Sequence, residues 1–279
     1  MTYFQAIIIG LLQGVTELFP ISSLGHSVLL PSLFGWDNIV RSQTAQESFF
    51  LAFLVGLHCA TAIALIVFYR AEWLKLVRAF LVTLHTRKIS SPAEKLIWLI
   101  IAATIPVGIF GLVFEHVLRT LFAKPLAAAV FLTVNGLILF FGERLRRRAE
   151  KKRQLSSLSV TDATLIGSAQ ILALFAGISR SGSTMVAGLM RGLDHKEAAH
   201  FSFLLATPII LAAGLYKLPD LFGHNGDGVR GQIIVGSIVA GLAAYVSIRF
   251  LSRYFQSKTL LPFAIYSLVV GVLMILRFA

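Results

Sequence analysis

Apolar residues in this chain fall in long unbroken stretches. They show neither the alternation of a half-buried strand nor the one-sided spacing of a soluble amphipathic helix. Six runs are long enough to cross a bilayer as helices: roughly 47–69, 96–114, 125–141, 200–217, 231–248 and 260–277. The 125–141 run is short, and its flanking Lys124 and Arg144 have stems that reach the interface. Two further apolar segments are interrupted by polar residues, Gly and Pro. One reads Gly10-Leu11-Leu12-Gln13-Gly14-Val15-Thr16-Glu17-Leu18-Phe19-Pro20-Ile21-Ser22-Ser23-Leu24-Gly25-His26. The other runs from Gly167 to Thr184. An offset of 157 residues registers Gly10 with Gly167, Gln13 with Gln170, Ile21 with Ile178, Ser22 with Ser179 and Gly25 with Gly182. The shared positions are mostly polar or Gly, and a polar residue in apolar surroundings needs a partner.

Composition agrees with this pattern. Of 279 residues 57% are hydrophobic and 14% charged, and the mean hydropathy is +0.81, as in a multi-span membrane protein. A net charge of +12 in a soluble protein points to nucleic acid. Here its placement gives another explanation. Eighteen Lys and Arg fall in segments 70–95, 142–159, 191–199 and 249–259, six in the remaining loops and tail, and Arg180 lies inside the second repeat. The larger set is cytoplasmic by the positive-inside rule, so no nucleic-acid partner is expected. The lone Cys59 leaves no disulfide framework or Cys metal site. The N-terminal residues Met1 to Gln5 lack a basic region, and a removable signal peptide is not expected.

This orientation makes 160–190 enter and leave on the cytoplasmic face, as a re-entrant pair of half-helices with its tip at 177–182. Residues 1–30, read the same way, enter from the opposite face, although 2–20 taken alone is long enough to be an ordinary span. Each repeat precedes three spans. The expected fold is therefore an all-α polytopic membrane protein with an inverted-topology repeat, about six spanning helices and two re-entrant helical hairpins. Its parts are repeat one at 1–141, a basic cytoplasmic linker at 142–159 and repeat two at 160–279. Non-helical backbone at membrane depth survives only against protein or a wet cavity, so the two tips should meet and build one.

The candidate chemistry sits at those tips. Glu17 is the carboxylate well inside an apolar segment, and Arg180 is the intramembrane cation. Either alone is costly to bury, so both should face a polar cavity. A helix restarting after each break offers free backbone N–H groups to an anion such as phosphate. Arg180 adds a bidentate clamp, and Ser22, Ser179, Ser181, Ser183 and Thr184 add hydroxyls. Ser22, and less so Ser23, also suits a helix cap. The copies differ as well: Ser23 stands opposite Arg180, Glu17 opposite Leu174 and His26 opposite Ser183. One tip offers a nucleophile-type hydroxyl, a carboxylate and an imidazole; the other offers positive charge. That division suits phosphate cleavage. Gln13 and Gln170 read as braces between half-helices, and His58 and Cys59 as packing residues. Ser237-x-x-x-Gly241 reads as a packing seam, and Glu47 and Glu197 as structural span starts.

Gln13-x-x-x-Glu17, the stretch Pro20 to His26 and the stretch Gly177-Ile178-Ser179-Arg180-Ser181-Gly182-Ser183-Thr184 together resemble the undecaprenyl-pyrophosphate phosphatases, the bacitracin-resistance protein family, over essentially the whole chain. The chain departs from that family at Gln13, often Glu, and at Ala176, usually Pro. The resemblance implies a phosphoric anhydride hydrolase of the bacterial inner (plasma) membrane. Such an enzyme removes the terminal phosphate of a polyprenyl diphosphate, recycles the lipid carrier for cell-wall synthesis and confers bacitracin resistance. It also implies dependence on a divalent cation, Mg²⁺ or Ca²⁺, with Glu17 and Gln13 as metal-site residues. Catalytic roles then fall to Ser23, His26, Glu17 and Arg180, with diphosphate held by Ser22, Ser179, Arg180, Ser181, Ser183 and Thr184. Either Ser23 or His26 is the nucleophile. A polyprenyl-phosphate flippase or secondary transporter is the alternative reading. A homodimer is among the expected partners.

Overall fold

In a computed structural model, residues 1–36, 39, 49–114, 124–146, 153–216 and 228–279 are described, and the described residues are almost wholly helical. Glu47 and the basic residues of 147–152 lie outside them. Six helices correspond to the six expected spans: α3 (Phe49–Phe68), α5 (Pro92–Val113), α6 (Pro125–Arg146), α9 (His195–Tyr216), α10 (Arg230–Tyr254) and α11 (Leu261–Phe278). Several outrun their apolar stretches. The added turns carry polar residues, because a helix keeps its hydrogen bonds where it leaves the bilayer.

The remaining elements form two broken hairpins. In the first, α1 (Tyr3–Thr16) stops short of a bilayer crossing, since 14 residues rise about 21 Å. The chain turns and restarts as α2 (Ser23–Leu33). The second comprises α7 (Val160–Ser168), a 3₁₀ segment (Ala169–Leu174) and α8 (Arg180–Met190). The re-entrant reading of 1–30 therefore holds over the single-span one.

The repeats embrace each other. The first arm of hairpin one packs on α10 of the second repeat, and the first arm of hairpin two packs on α5 of the first. The matched glycines explain these crossings. A Cβ on Gly10 would sit 2.5 Å from the Gly236 carbonyl oxygen, and one on Gly167 would collide with the Ala103 carbonyl. Each Gly thus serves the same helix crossing in its own repeat. Gly10→Ala and Gly167→Ala are each expected to lower stability by about 1–3 kcal/mol, read as a lower Tm in detergent. A parental Tm for both would refute the close crossings. The Ser237/Gly241 seam does pack on α3, against Gly56 and Ala60, and Cys59 packs against Gly214.

One segment differs from expectation. The 70–95 linker holds a further helix, α4 (Arg70–Thr86), bent 87° from α3. Its Leu76, Ala79 and Thr83 are buried at helical spacing, whereas Leu74, Val77 and Leu81 are exposed among basic residues. The charge density that marked it as a loop belongs to an interfacial helix instead.

Polar staples close the expected cytoplasmic side. Asp162 accepts from Arg153 at 2.9 Å and from Arg191 Nε at 2.7 Å. Burial pushes its carboxyl up, but the Ser159 N–H and the two guanidiniums outweigh that and hold it well below the usual carboxylate range. Arg146 reaches His195 Nδ1 at 2.8 Å, and His195 Nε2 faces Glu143 at 2.7 Å. Glu143 also accepts from the Leu260 N–H, joining α6, α9 and the start of α11. Glu197 accepts from the Leu155 N–H at 2.9 Å, which accounts for its structural role.

Candidate active site

The two tips meet, and the meeting is held by backbone and small side chains. Ser22 caps α2 by accepting from the Gly25 N–H at 3.2 Å, and its partner by the 157-residue offset, Ser179, caps α8 by accepting from the Gly182 N–H at 3.1 Å. The same Ser22 Oγ accepts from the Gly177 N–H of the other tip at 3.2 Å. That bond holds Ser22 at φ +72°, a strained conformation for a residue with a side chain. Gly177 is at φ +114°, and a Cβ on Gly25 would lie 2.7 Å from the Gly177 Cα. Asn135, fully buried in the middle of α6, clamps both tips. Its Oδ1 accepts from the Ser179 N–H at 2.9 Å, and its Nδ2 donates to the Pro20 carbonyl at 3.0 Å.

At this junction the structure joins charges 163 residues apart. Arg180 donates to Glu17 Oε1 at 3.3 Å and to the Ser202 carbonyl at 3.4 Å. Ser23 donates to Glu17 Oε2 at 2.6 Å, a short charge-assisted bond. Gln13 Nε2 donates to the same oxygen at 3.1 Å. Glu17 is 8% exposed and Ser23 likewise 8%, so this network lies largely out of water. Gln13 therefore orients Glu17 along its own helix and does not brace two half-helices. Gln170 is equally buried, and neither of its amide atoms has a partner among the described residues.

His26 is placed differently. Its Nδ1 lies 2.7 Å from the Ser22 carbonyl oxygen and its Nε2 lies 2.8 Å from the Tyr266 hydroxyl, with the two rings stacked at 5.8 Å. Both ring nitrogens are thus engaged away from Ser23, and Glu17 is the group that takes the Ser23 hydrogen bond. Of the expected diphosphate-binding hydroxyls, several are committed within the protein. Ser22 and Ser179 are caps, Ser181 bonds Ser179 at 3.0 Å and the Phe19 carbonyl at 3.3 Å, and Thr184 pairs with Ser202 at 2.6 Å. Buried polar atoms without a partner among the described residues include three here: Arg180 Nε, Ser183 Oγ and Gln13 Oε1.

Four contributors escaped sequence reading. His58 was read as packing, yet its Nε2 lies 3.6 Å from Glu17 Oε2 while its Nδ1 faces the Leu54 carbonyl at 2.7 Å. Tyr266, Asn135 and Ser202 complete the set. A polar residue inside an apolar span was the available signal for each; none carried a repeat match.

Fold and site together define an integral membrane protein of inverted-repeat build, with a buried serine–carboxylate–arginine cluster where its two re-entrant tips meet. The chain belongs to the bacitracin resistance protein BacA family, whose profile matches residues 6–273. It is 53% identical to undecaprenyl-diphosphatase 2 of Frankia alni across all of this chain and 98% of that protein. It is 51% identical to the undecaprenyl-diphosphatase of Mycolicibacterium paratuberculosis over 97% of this chain and 95% of that protein. Against undecaprenyl-diphosphatase 2 of Chromobacterium violaceum the identity is 45%, over 98% and 97% respectively.

Proposed function

We propose that this protein is an undecaprenyl-diphosphatase of a bacterial plasma membrane, hydrolysing the terminal phosphoanhydride of a polyprenyl diphosphate to the lipid monophosphate and inorganic phosphate. The observation that carries the proposal is the 2.6 Å bond from Ser23 to a buried Glu17 whose other oxygen faces Arg180. A hydroxyl held by a carboxylate beside a fixed guanidinium is the arrangement of an activated nucleophile next to an anion clamp. The names of its full-length relatives support the substrate.

Ser23 Oγ attacks the terminal phosphorus as its proton passes to Glu17 Oε2, and the bond to the bridging oxygen breaks to release lipid monophosphate. Water then hydrolyses the phosphoserine. Arg180 Nε and Ser183 Oγ, each without a partner among the described residues, have donor capacity for the phosphoryl oxygens. Gln13 Oε1 is a buried amide oxygen without a partner among the described residues, beside the Glu17 carboxylate. Oxygen donors of this kind fit Mg²⁺ or Ca²⁺, which fill their remaining positions with water and phosphate oxygens. Glu17 and Gln13 would hold such an ion, and its charge would neutralise the diphosphate.

A flippase would use the same broken helices, but it has no need for a serine bonded to a carboxylate. Purified protein in detergent is expected to release inorganic phosphate from a polyprenyl diphosphate with Mg²⁺ or Ca²⁺ present, and to lose that activity in excess chelator. Lipid movement across vesicles without phosphate release would favour the transporter.

A further inference from the structure

Tyr266 lies in the last helix of the second repeat, 240 residues from His26, and no motif marks it. Its bond to His26 has a fixed direction. A carbonyl oxygen only accepts, so the 2.7 Å contact with Ser22 requires the proton on His26 Nδ1. In the neutral ring Nε2 then carries the lone pair, and the Tyr266 hydroxyl is the donor across 2.8 Å. Among the described residues nothing donates to the lone pairs of the Tyr266 oxygen, and the residue is 39% exposed. His26 follows Ser23 by three residues and so shares its helix face.

We propose that Tyr266 acts through His26 as the proton acceptor for the second half of the reaction, hydrolysis of the phosphoserine. The inference rests on Ser23 as nucleophile. Water bonds to phosphorus as the bond from phosphorus to Ser23 Oγ breaks. One water proton stays with the phosphate and the other passes to the Tyr266 oxygen, whose own proton moves to His26 Nε2. Ser23 Oγ recovers its proton from Glu17, and the imidazolium, held by the Ser22 carbonyl, later releases its proton to solvent. The first half-reaction uses Glu17 instead, so the two halves have separate proton acceptors. The 2.6 Å bond from Ser23 to Glu17, and the engagement of both His26 nitrogens elsewhere, are what separate them.

The test uses Tyr266→Phe, which keeps the ring stacked on His26, together with His26→Gln and the double variant. Each full-length protein in detergent with Mg²⁺ is given polyprenyl diphosphate labelled in its terminal phosphate. Three quantities are read: lipid monophosphate from the first turnover, steady-state phosphate release, and label retained on protein after acid quench. In Tyr266→Phe the first turnover is expected to stay within about threefold of the parent while steady-state release falls on the order of 10²-fold, with label accumulating on Ser23. His26→Gln should do the same, and the double variant should be no slower than His26→Gln alone. An unchanged steady state in Tyr266→Phe, equal slowing of both phases without label, or losses that multiply in the double variant would each overturn the relay. No label in any variant, combined with turnover by Ser23→Ala, would instead remove the nucleophile assignment and the relay with it.

Discussion

Ser23→Ala is expected to lose at least about 10³-fold of steady-state phosphate release and all acid-stable label, while remaining folded. The reason it should fold is visible in the network. Removing the hydroxyl takes one donor from Glu17 Oε2, but Gln13 remains on that oxygen at 3.1 Å and Arg180 on the other at 3.3 Å. The carboxylate stays paired, so the substitution acts on chemistry and not on burial. His26 offers no ready substitute. Its Nε2 would have to leave Tyr266 to attack phosphorus, whereas the Ser23 hydroxyl already donates to the Glu17 carboxylate. The variant's thermal transition and its acid-quenched label, measured with phosphate release, separate the outcomes. Activity within tenfold of the parent would discard Ser23 as nucleophile, and an acid-labile, alkali-stable phosphoprotein would move the role to His26.

Arg180→Ala should be severe in both stability and activity. Its guanidinium, 13% exposed at the side chain, is the cation within hydrogen-bond reach of the buried Glu17 and also ties α8 to the Ser202 carbonyl of α9. Removing one partner of a buried ion pair leaves the other uncompensated, a loss of about 3–5 kcal/mol. On the proposed function it also removes the arginine that would face the transferring phosphoryl group, a role that contributes factors of about 10³ or more. Arg180→Lys separates the two. A Lys restores charge beside Glu17 but lacks the fork that reaches Ser202, Glu17 and a phosphate together. It is expected to recover most of the Tm and little of the turnover. If Arg180→Lys is nearly as active as the parent, the arginine is only a counter-charge for Glu17.

Much of this architecture was legible because a bilayer constrains composition strongly. An apolar run of about 20 residues leaves few alternatives to a spanning helix. The repeated Gly, Ser and Gln mark the two hairpins in the sequence alone. The mismatch of Ser23 with Arg180 pointed to a divided site. The matches proved more structural than chemical: Gly10 and Gly167 permit helix crossings, and Ser22 and Ser179 cap the restarted helices. The α4 helix was missed because its charges resemble those of a loop until their helical spacing is set against buried Leu76, Ala79 and Thr83.

By itself the sequence determined the spans, the two helix breaks and the identity of the buried charges. These follow from local composition and from the cost of polar groups in lipid. The tertiary structure decided which groups touch. The Glu17–Arg180 pair spans 163 residues and the His26–Tyr266 bond 240. Asn135 and His58 gained roles only when α6 and α3 were packed against the tips. Hydrogen bonds act over about 3 Å, so hydrogen-bond partners are assigned by packing, and that is what paired the Ser23 hydroxyl with Glu17 and His26 with Tyr266.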